Sequence, residues 1–132
     1  MRTAAQPACA AQDHVPAQRA LPVGVEALER ASGLFRAMGD TARLRLLGLL
    51  SQGAACVSEL AAIEGETVST ISQRLRVLRS ERLVVRHRDG KHINYALADQ
   101  HVLDLVFSAM AHASETPVYP AGAATHQAKE QS

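Results

Sequence analysis

The dipeptide Asp89-Gly90, with alternating residues on both sides, constrains this chain more than any other feature. Residues 83–88 read Leu-Val-Val-Arg-His-Arg, and residues 91–97 read Lys-His-Ile-Asn-Tyr-Ala-Leu. Alternation around Asp-Gly is the strongest short-range signal for a β-hairpin, with Asp89-Gly90 as the expected turn. The other apolar segments between residues 25 and 114 repeat at helical spacing, so a single hairpin must pack among helices. A chain of 132 residues is long enough for one core and too short for two. Aromatic residues make up only 3%, with no Trp, which leaves an aliphatic core of Leu, Val and Ala. The expected class is mainly α with a small β-hairpin.

The helices can be placed from their apolar positions and their caps. Leu28, Ala31, Leu34, Phe35 and Met38 predict a helix from Val25 to Met38, broken by Gly39-Asp40. Asp40 is the expected N-cap of a second helix, from Thr41 to about Ser51. Its Leu44, Leu46, Leu47, Leu49 and Leu50 cover much of its surface, which makes it central, and Gly53 follows its end. A short helix from Val57 to Ile63, the turn Glu64-Gly65-Glu66 and a helix capped by Thr67 and running to Ser80 make a helix-turn-helix. Asp99 is the expected cap of a last helix, from Gln100 to Ser114, stopped by Pro117. Residues 1–22, punctuated by Pro7, Pro16 and Pro22, read as a flexible arm, 23–115 as the folded domain and 116–132 as a disordered tail. No signal peptide and no apolar run near 18 residues is visible, so no membrane association is expected. Two cysteines, Cys9 and Cys56, fit a reducing compartment, and the expected location is cytoplasmic.

A formal net charge of +1 conceals a segregation of charge. Residues 67–92 carry Arg74, Arg76, Arg79, Arg82, Arg86, Arg88 and Lys91 against Glu81 and Asp89, a local balance of +5. One basic block in a near-neutral chain points to a polyanion held by one segment. In the helix from 68 to 80, Ile71, Leu75 and Leu78 form a buried stripe, and Ser69, Gln73 and Arg76 fall opposite it, flanked by Thr70 and Ser72. Short polar residues near the helix start suit entry into a major groove, where Gln can pair with adenine and Arg can hold a phosphate. The basic hairpin that follows is then a wing, whose Arg88 and Lys91 lie against the DNA backbone. The expected partner is double-stranded DNA.

The last helix carries the coordination chemistry. Asp99 and His101 stand at its start, and His112 and Glu115, one turn apart, at its end. His101 and His112 are 11 residues apart, which puts them on one stripe but about 16.5 Å apart along the axis. Ligand atoms on one zinc ion lie within about 4 Å of one another, so a single straight helix cannot complete the site. A second copy of the helix running antiparallel sets Asp99 and His101 of one chain against His112 and Glu115 of the other, giving two identical N2O2 sites. Val102, Leu103, Val106, Ala109 and Met110 supply apolar surface for such a pairing. Nitrogen and oxygen ligands suit Zn2+, and also Co2+ or Ni2+.

The run from Leu34 to Leu47, then Cys56-Val57-Ser58-Glu59-Leu60-Ala61, the helix from Val68 to Leu78 and the wing together resemble the ArsR/SmtB family of winged-helix metal-responsive repressors. The resemblance covers residues 28–115, and the Asp-x-His and His-x-x-Glu pattern resembles the zinc-sensing site of the SmtB subgroup. It implies a homodimer formed through the N- and C-terminal helices, whose apo form binds a palindromic operator. Metal binding, by Zn2+ or by Co2+, Ni2+ or Cd2+, would then release the DNA and allow efflux or sequestration genes to be expressed. The chain departs from the family's Cys-Val-Cys thiolate core, since Ser58 takes the second cysteine position. The resemblance also implies a second metal site of Cys9, His14, Cys56 and Glu59, with the arm reaching across from the other subunit. Glu66 stands where relatives carry a small apolar residue, which places an anion beside incoming phosphates. His87, His92 and His126 match no ligand motif.

A hydrolytic metal enzyme would need an open coordination position, and four ligands from a helix pair leave none. No enzymatic activity and no small-molecule substrate are expected. The alternative is a winged-helix module for metal buffering or protein contacts, which metal-sensitive, salt-dependent DNA binding would distinguish.

Overall fold

The computed structural model describes residues 18–115. Residues 1–17, with Cys9 and His14, and residues 116–132, with His126, lie outside the described residues, so the expected arm and tail fall largely there. Five helices and three short strands follow one another as α1 (Val25–Met38), α2 (Thr41–Leu50), β1 (Ala55–Cys56), α3 (Val57–Glu64), α4 (Val68–Ser80), β2 (Val84–Asp89), β3 (His92–Leu97) and α5 (Gln100–Ser114).

The helix starts follow the capping residues. The Asp40 carboxylate accepts from the Arg43 backbone N–H at 3.0 Å, and the Arg43 guanidinium turns back to donate to the Ala37 carbonyl at 2.7 Å. One residue thus donates its amide to the cap of α2 and its cation to the C-terminal carbonyls of α1. Thr67 caps α4 through the Thr70 N–H, and Asp99 caps α5 through the Val102 N–H. Between α3 and α4, Gly65 ends α3 at φ 67°, a left-handed conformation that glycine adopts without a Cβ penalty.

The core lies where α2, α3, α4, the sheet and α5 converge. Leu46, Leu47, Leu60, Ile71, Leu75, Leu78, Leu83, Val84 and Val106 are completely enclosed. α2 is central, as its leucines predict, and the stripe Ile71, Leu75, Leu78 is the buried face of α4. α1 is different. Ala37 and Met38 are buried, whereas Leu28 is exposed and Phe35 is 59% exposed. The outer face of α5 likewise leaves Phe107 52% exposed.

Three details differ from the sequence expectations. The hairpin is part of a three-stranded antiparallel sheet of order β1-β3-β2, because Ala55 and Cys56 pair with Tyr95 and Asn94. The hairpin turn lies one residue later than expected: Asp89 closes the ladder opposite His92, and Gly90 and Lys91 occupy the turn. Gly90 takes φ 64° while Asp89 keeps a negative φ, so the residue without a Cβ adopts the left-handed position. Finally, Val102 and Val106 are buried in this chain's own core and are not available as an apolar face for a second copy.

The junction of α4 and β2 is unusual. The Leu83 N–H reaches the Leu78 carbonyl and the Arg82 N–H reaches the Arg79 carbonyl, the paired bonds of a Schellman motif. The left-handed residue in that motif is ordinarily glycine. Here it is Arg82 at φ 60°, the one non-glycine residue with positive φ among the described residues. That conformation costs about 1 kcal/mol relative to glycine.

Candidate nucleic-acid interface and metal half-sites

α4 is anchored by its stripe and shows its opposite face to solvent. Ser69, Gln73 and Arg76 are exposed along it, and Ser72 is half-buried on its flank. Thr70 is also half-buried, and its hydroxyl accepts a hydrogen bond from the Thr67 hydroxyl at 3.0 Å, which leaves its own O–H proton available. Arg88 and Lys91 project from the wing, both exposed. Alternation along β2 places Arg86 and Arg88 on one face of the hairpin, opposite Tyr95 and Ile93, and His87 on the other.

Two ion pairs frame the helix-turn-helix, and neither was evident from sequence spacing. Arg45 of α2 grips Glu64 at the end of α3 through two bonds of 2.8 Å, Nε to Oε2 and Nη2 to Oε1. The Glu64 side chain is only 4% exposed, whereas its Arg45 partner is 62% exposed. Those hydrogen bonds hold the Glu64 carboxyl below the ordinary carboxylate range, against the opposing effect of desolvation, and they raise Arg45 in turn. Glu66, the anion in the turn, meets Arg74 of α4 at 3.4 Å. Its charge therefore faces a cation of its own chain.

The metal-ligand candidates of α5 fall into two groups. At its start the Asp99 carboxylate caps the helix, and the His101 Nδ1 lies 3.7 Å from the same Oδ1 atom. The His101 side chain is 97% exposed, free to turn toward a ligand. At the other end His112 stands in the last turn, and Glu115 is the C-cap, with extended backbone and its N–H on the His112 carbonyl. About 16.5 Å of helix separates the two histidines. Among the described residues of one chain, no three His, Cys, Asp or Glu side chains come together as a metal would require. One chain therefore brings Asp99 and His101 together, and leaves His112 and Glu115 apart from them.

Asp99 and His101 sit on the rim of a cleft of about 520 Å³ between α1, the α4–β2 junction and α5. Leu34 lines it, and Arg30, Glu81 and Arg82 add charge. Cys56 is half-buried at the junction of β1 and α3, a free thiol that forms the N-cap of α3 without a side-chain cap bond. Glu59 is exposed one turn later.

A recognition helix inside a helix-turn-helix, followed by a basic hairpin, defines a winged-helix DNA-binding protein. Residues 40–85 match the sequence profile described as "Bacterial regulatory protein, arsR family". The chain is 37% identical over 106 residues to a Synechocystis protein named "Transcriptional repressor SmtB homolog", covering 78% of this chain and 80% of that one. It is 36% identical over 91 residues to the Mycobacterium tuberculosis "HTH-type transcriptional regulator NmtR", covering 69% and 76%. Among solved structures, it resembles the homodimeric winged helix-turn-helix domain of a possible ArsR-family regulator from Mycobacterium bovis, with TM-score 0.66 and 27% identity, covering 77% of this chain and 99% of that one. An antimony-specific transcriptional repressor, AntR, matches with TM-score 0.60 and 33% identity over 71% of this chain and 85% of its own. The chain belongs to the ArsR/SmtB family of metal-responsive transcriptional repressors, and is a regulator rather than an enzyme. No helix among the described residues is long and apolar enough to cross a membrane.

Proposed function

We propose that this chain is a homodimeric repressor that holds a palindromic operator when apo and releases it when Zn2+, or the similar ions Co2+, Ni2+ and Cd2+, bind at α5. What carries the reading is the division of ligands on α5: Asp99 with His101 at one end, His112 with Glu115 at the other, and too much helix between them for one chain to close a shell. The donor set fits the metal. Asp99 and His101 of one copy of α5 and His112 and Glu115 of an antiparallel second copy would hold the ion, which would supply a fixed positive centre. The exposed Phe35 of α1 and Phe107 of α5 are apolar surface that a second copy would cover.

The chain's own residues connect that site to DNA. Val102 and Val106 fix α5 in the core that also seats the Ile71, Leu75, Leu78 stripe of α4. Ser69, Gln73 and Arg76 present the base-reading face, while Arg88 and Lys91 hold backbone phosphates. Asp99 has two tasks, as a helix cap and as a ligand, so the start of α5 responds to both. The Cys9, His14, Cys56 and Glu59 set is a second and separate proposal, with Cys56 at the junction of β1 and α3 and Glu59 one turn into α3.

The test is fluorescence anisotropy with a duplex selected from a random pool, titrated with and without zinc. Zinc should weaken binding by about 1–3 kcal/mol, roughly 5–150-fold, and operator DNA must weaken zinc binding by the same factor. Equal affinity in the two conditions would refute metal-controlled release.

A further inference from the structure

Three of the seven cations in the basic block are still without a role: Arg79, Arg82 and Arg86. They line a shallow concavity of about 440 Å³ together with Val84, Val85 and Ala98. The ion pairs among the described residues join Arg45 to Glu64, Arg74 to Glu66 and His101 to Asp99. No carboxylate among them neutralises the three arginines of the concavity. Mutual repulsion should drive such a group apart unless an anion joins it.

Arg82 adds an independent sign. It holds the left-handed position of the α4–β2 junction, φ 60°, where glycine would sit without strain. The backbone alone gives no reason for an arginine there. A residue kept in a disfavoured conformation beside an unneutralised cationic hollow points to a ligand for its side chain. The location is also open: β2 is an edge strand, so no neighbouring strand covers Arg86.

The direction of the row identifies the ligand. Arg76 and Arg79 differ by about 60° around α4, so the basic side of the reading face continues toward the wing. Beyond the concavity, Arg86 and Arg88 share one face of β2. We infer that Arg79, Arg82 and Arg86 form a phosphate-binding cleft that grips the DNA backbone outside the bases read by α4. A guanidinium fork matches two phosphate oxygens, and three such groups around one hollow suit a phosphodiester better than any base edge. The placement presupposes that α4 reads DNA as proposed above. It adds length to the footprint and no sequence preference.

The decisive variant is Arg82→Gly, with Arg86→Ala as its companion. Glycine relieves the left-handed strain, so Arg82→Gly should melt no lower than the wild type, and lost binding cannot then be blamed on lost fold. Affinity for a long mixed-sequence duplex should fall by on the order of tenfold, the worth of one charge-assisted contact. The slope of log affinity against log salt should flatten by about 1. On a duplex trimmed to the footprint of α4, wild type and variant should bind alike. Unchanged affinity and slope on the long duplex would overturn the inference. If the wild type itself binds no duplex, the DNA reading fails first, and the control shows it. A titration with inorganic phosphate at constant ionic strength separates the remaining source: saturable binding lost in Arg82→Gly, with DNA binding unchanged, would make the cleft a soluble-anion site and refute the backbone contact.

Discussion

Gly48 of α2 faces the methyl end of Met110 of α5: a Cβ at that position would lie 2.9 Å from Met110 Cε and 3.8 Å from its Sδ. Two effects oppose each other in Gly48→Ala. Alanine in a helix interior is favoured over glycine by about 0.8–1.0 kcal/mol. The added methyl must push Met110 back by about half an ångström to ordinary contact, but the atom is the end of a chain with three rotatable bonds, and the cost is below about 1 kcal/mol. The helix term wins, so Gly48→Ala should be neutral to stabilising by about 1 kcal/mol. For a domain of roughly 100 residues that raises the melting temperature by at most about 4–8 °C. Gly48→Val reverses the sign, because its branched side chain gains less helix propensity and its extra methyl overpacks the contact by about 1–3 kcal/mol. The assay is thermal unfolding by circular dichroism at one fixed protomer concentration, with Met110→Ala added to each variant. In the Met110→Ala background Gly48→Val should cost clearly less than it does with Met110 present, because the clash is gone. A Gly48→Val protein as stable as the wild type, or an equal cost of Gly48→Val in both backgrounds, would refute the seating of α5 on α2.

Three further outcomes can be checked directly. His101→Ala and His112→Ala homodimers should each lose tight zinc binding; after subunit exchange half the dimers are mixed and each has one intact site, so an equal mixture should recover about a quarter of wild-type capacity. A flat titration of the exchanged mixture would refute ligation between chains. Because the Glu64 carboxyl is depressed in the folded chain, its stabilisation is present above the unfolded carboxylate's value and is lost as pH falls through the folded one; urea denaturation across the acid range should therefore show a weaker pH dependence in Glu64→Gln. In operator selections, Gln73→Ala should relax preference at one base position, at a cost of about 1–3 kcal/mol, while Arg88→Ala should weaken every duplex similarly and flatten the salt slope by about 1.

Much of this architecture is legible in the sequence because its signals are local. Asp40, Thr67 and Asp99 cap their helices as their positions predict, and Ile71, Leu75 and Leu78 enter the core at helical period. What sequence reading missed depends on partners distant in the chain. β1 spans two residues, too few to show alternation, and is a strand only because β3 lies beside it. Helical spacing shows that Val102 and Val106 share a stripe, but whether that stripe meets this chain or another is settled by packing. Arg45 and Glu64 are 19 residues apart and belong to different helices, so no periodicity joins them. Arg82 escapes notice for the opposite reason: its left-handed position is recognisable in sequence when glycine fills it. For the candidate ligands of α5, sequence spacing separates the two ends, and the structure brings only Asp99 and His101 close.

Asp99 holds the start of α5, and in the function proposed above it would also be a metal ligand, which would make the detection threshold adjustable at one codon. Its Oδ1 accepts the Val102 N–H, and an asparagine oxygen accepts the same bond with nearly the same strength. The amide, however, brings no negative charge to a cation. Asp99→Asn would therefore keep the helix while moving its response to higher metal concentration, whereas Asp99→Ala would disturb both. A lineage exposed to a different metal burden can thus retune when the alarm sounds without rebuilding the instrument.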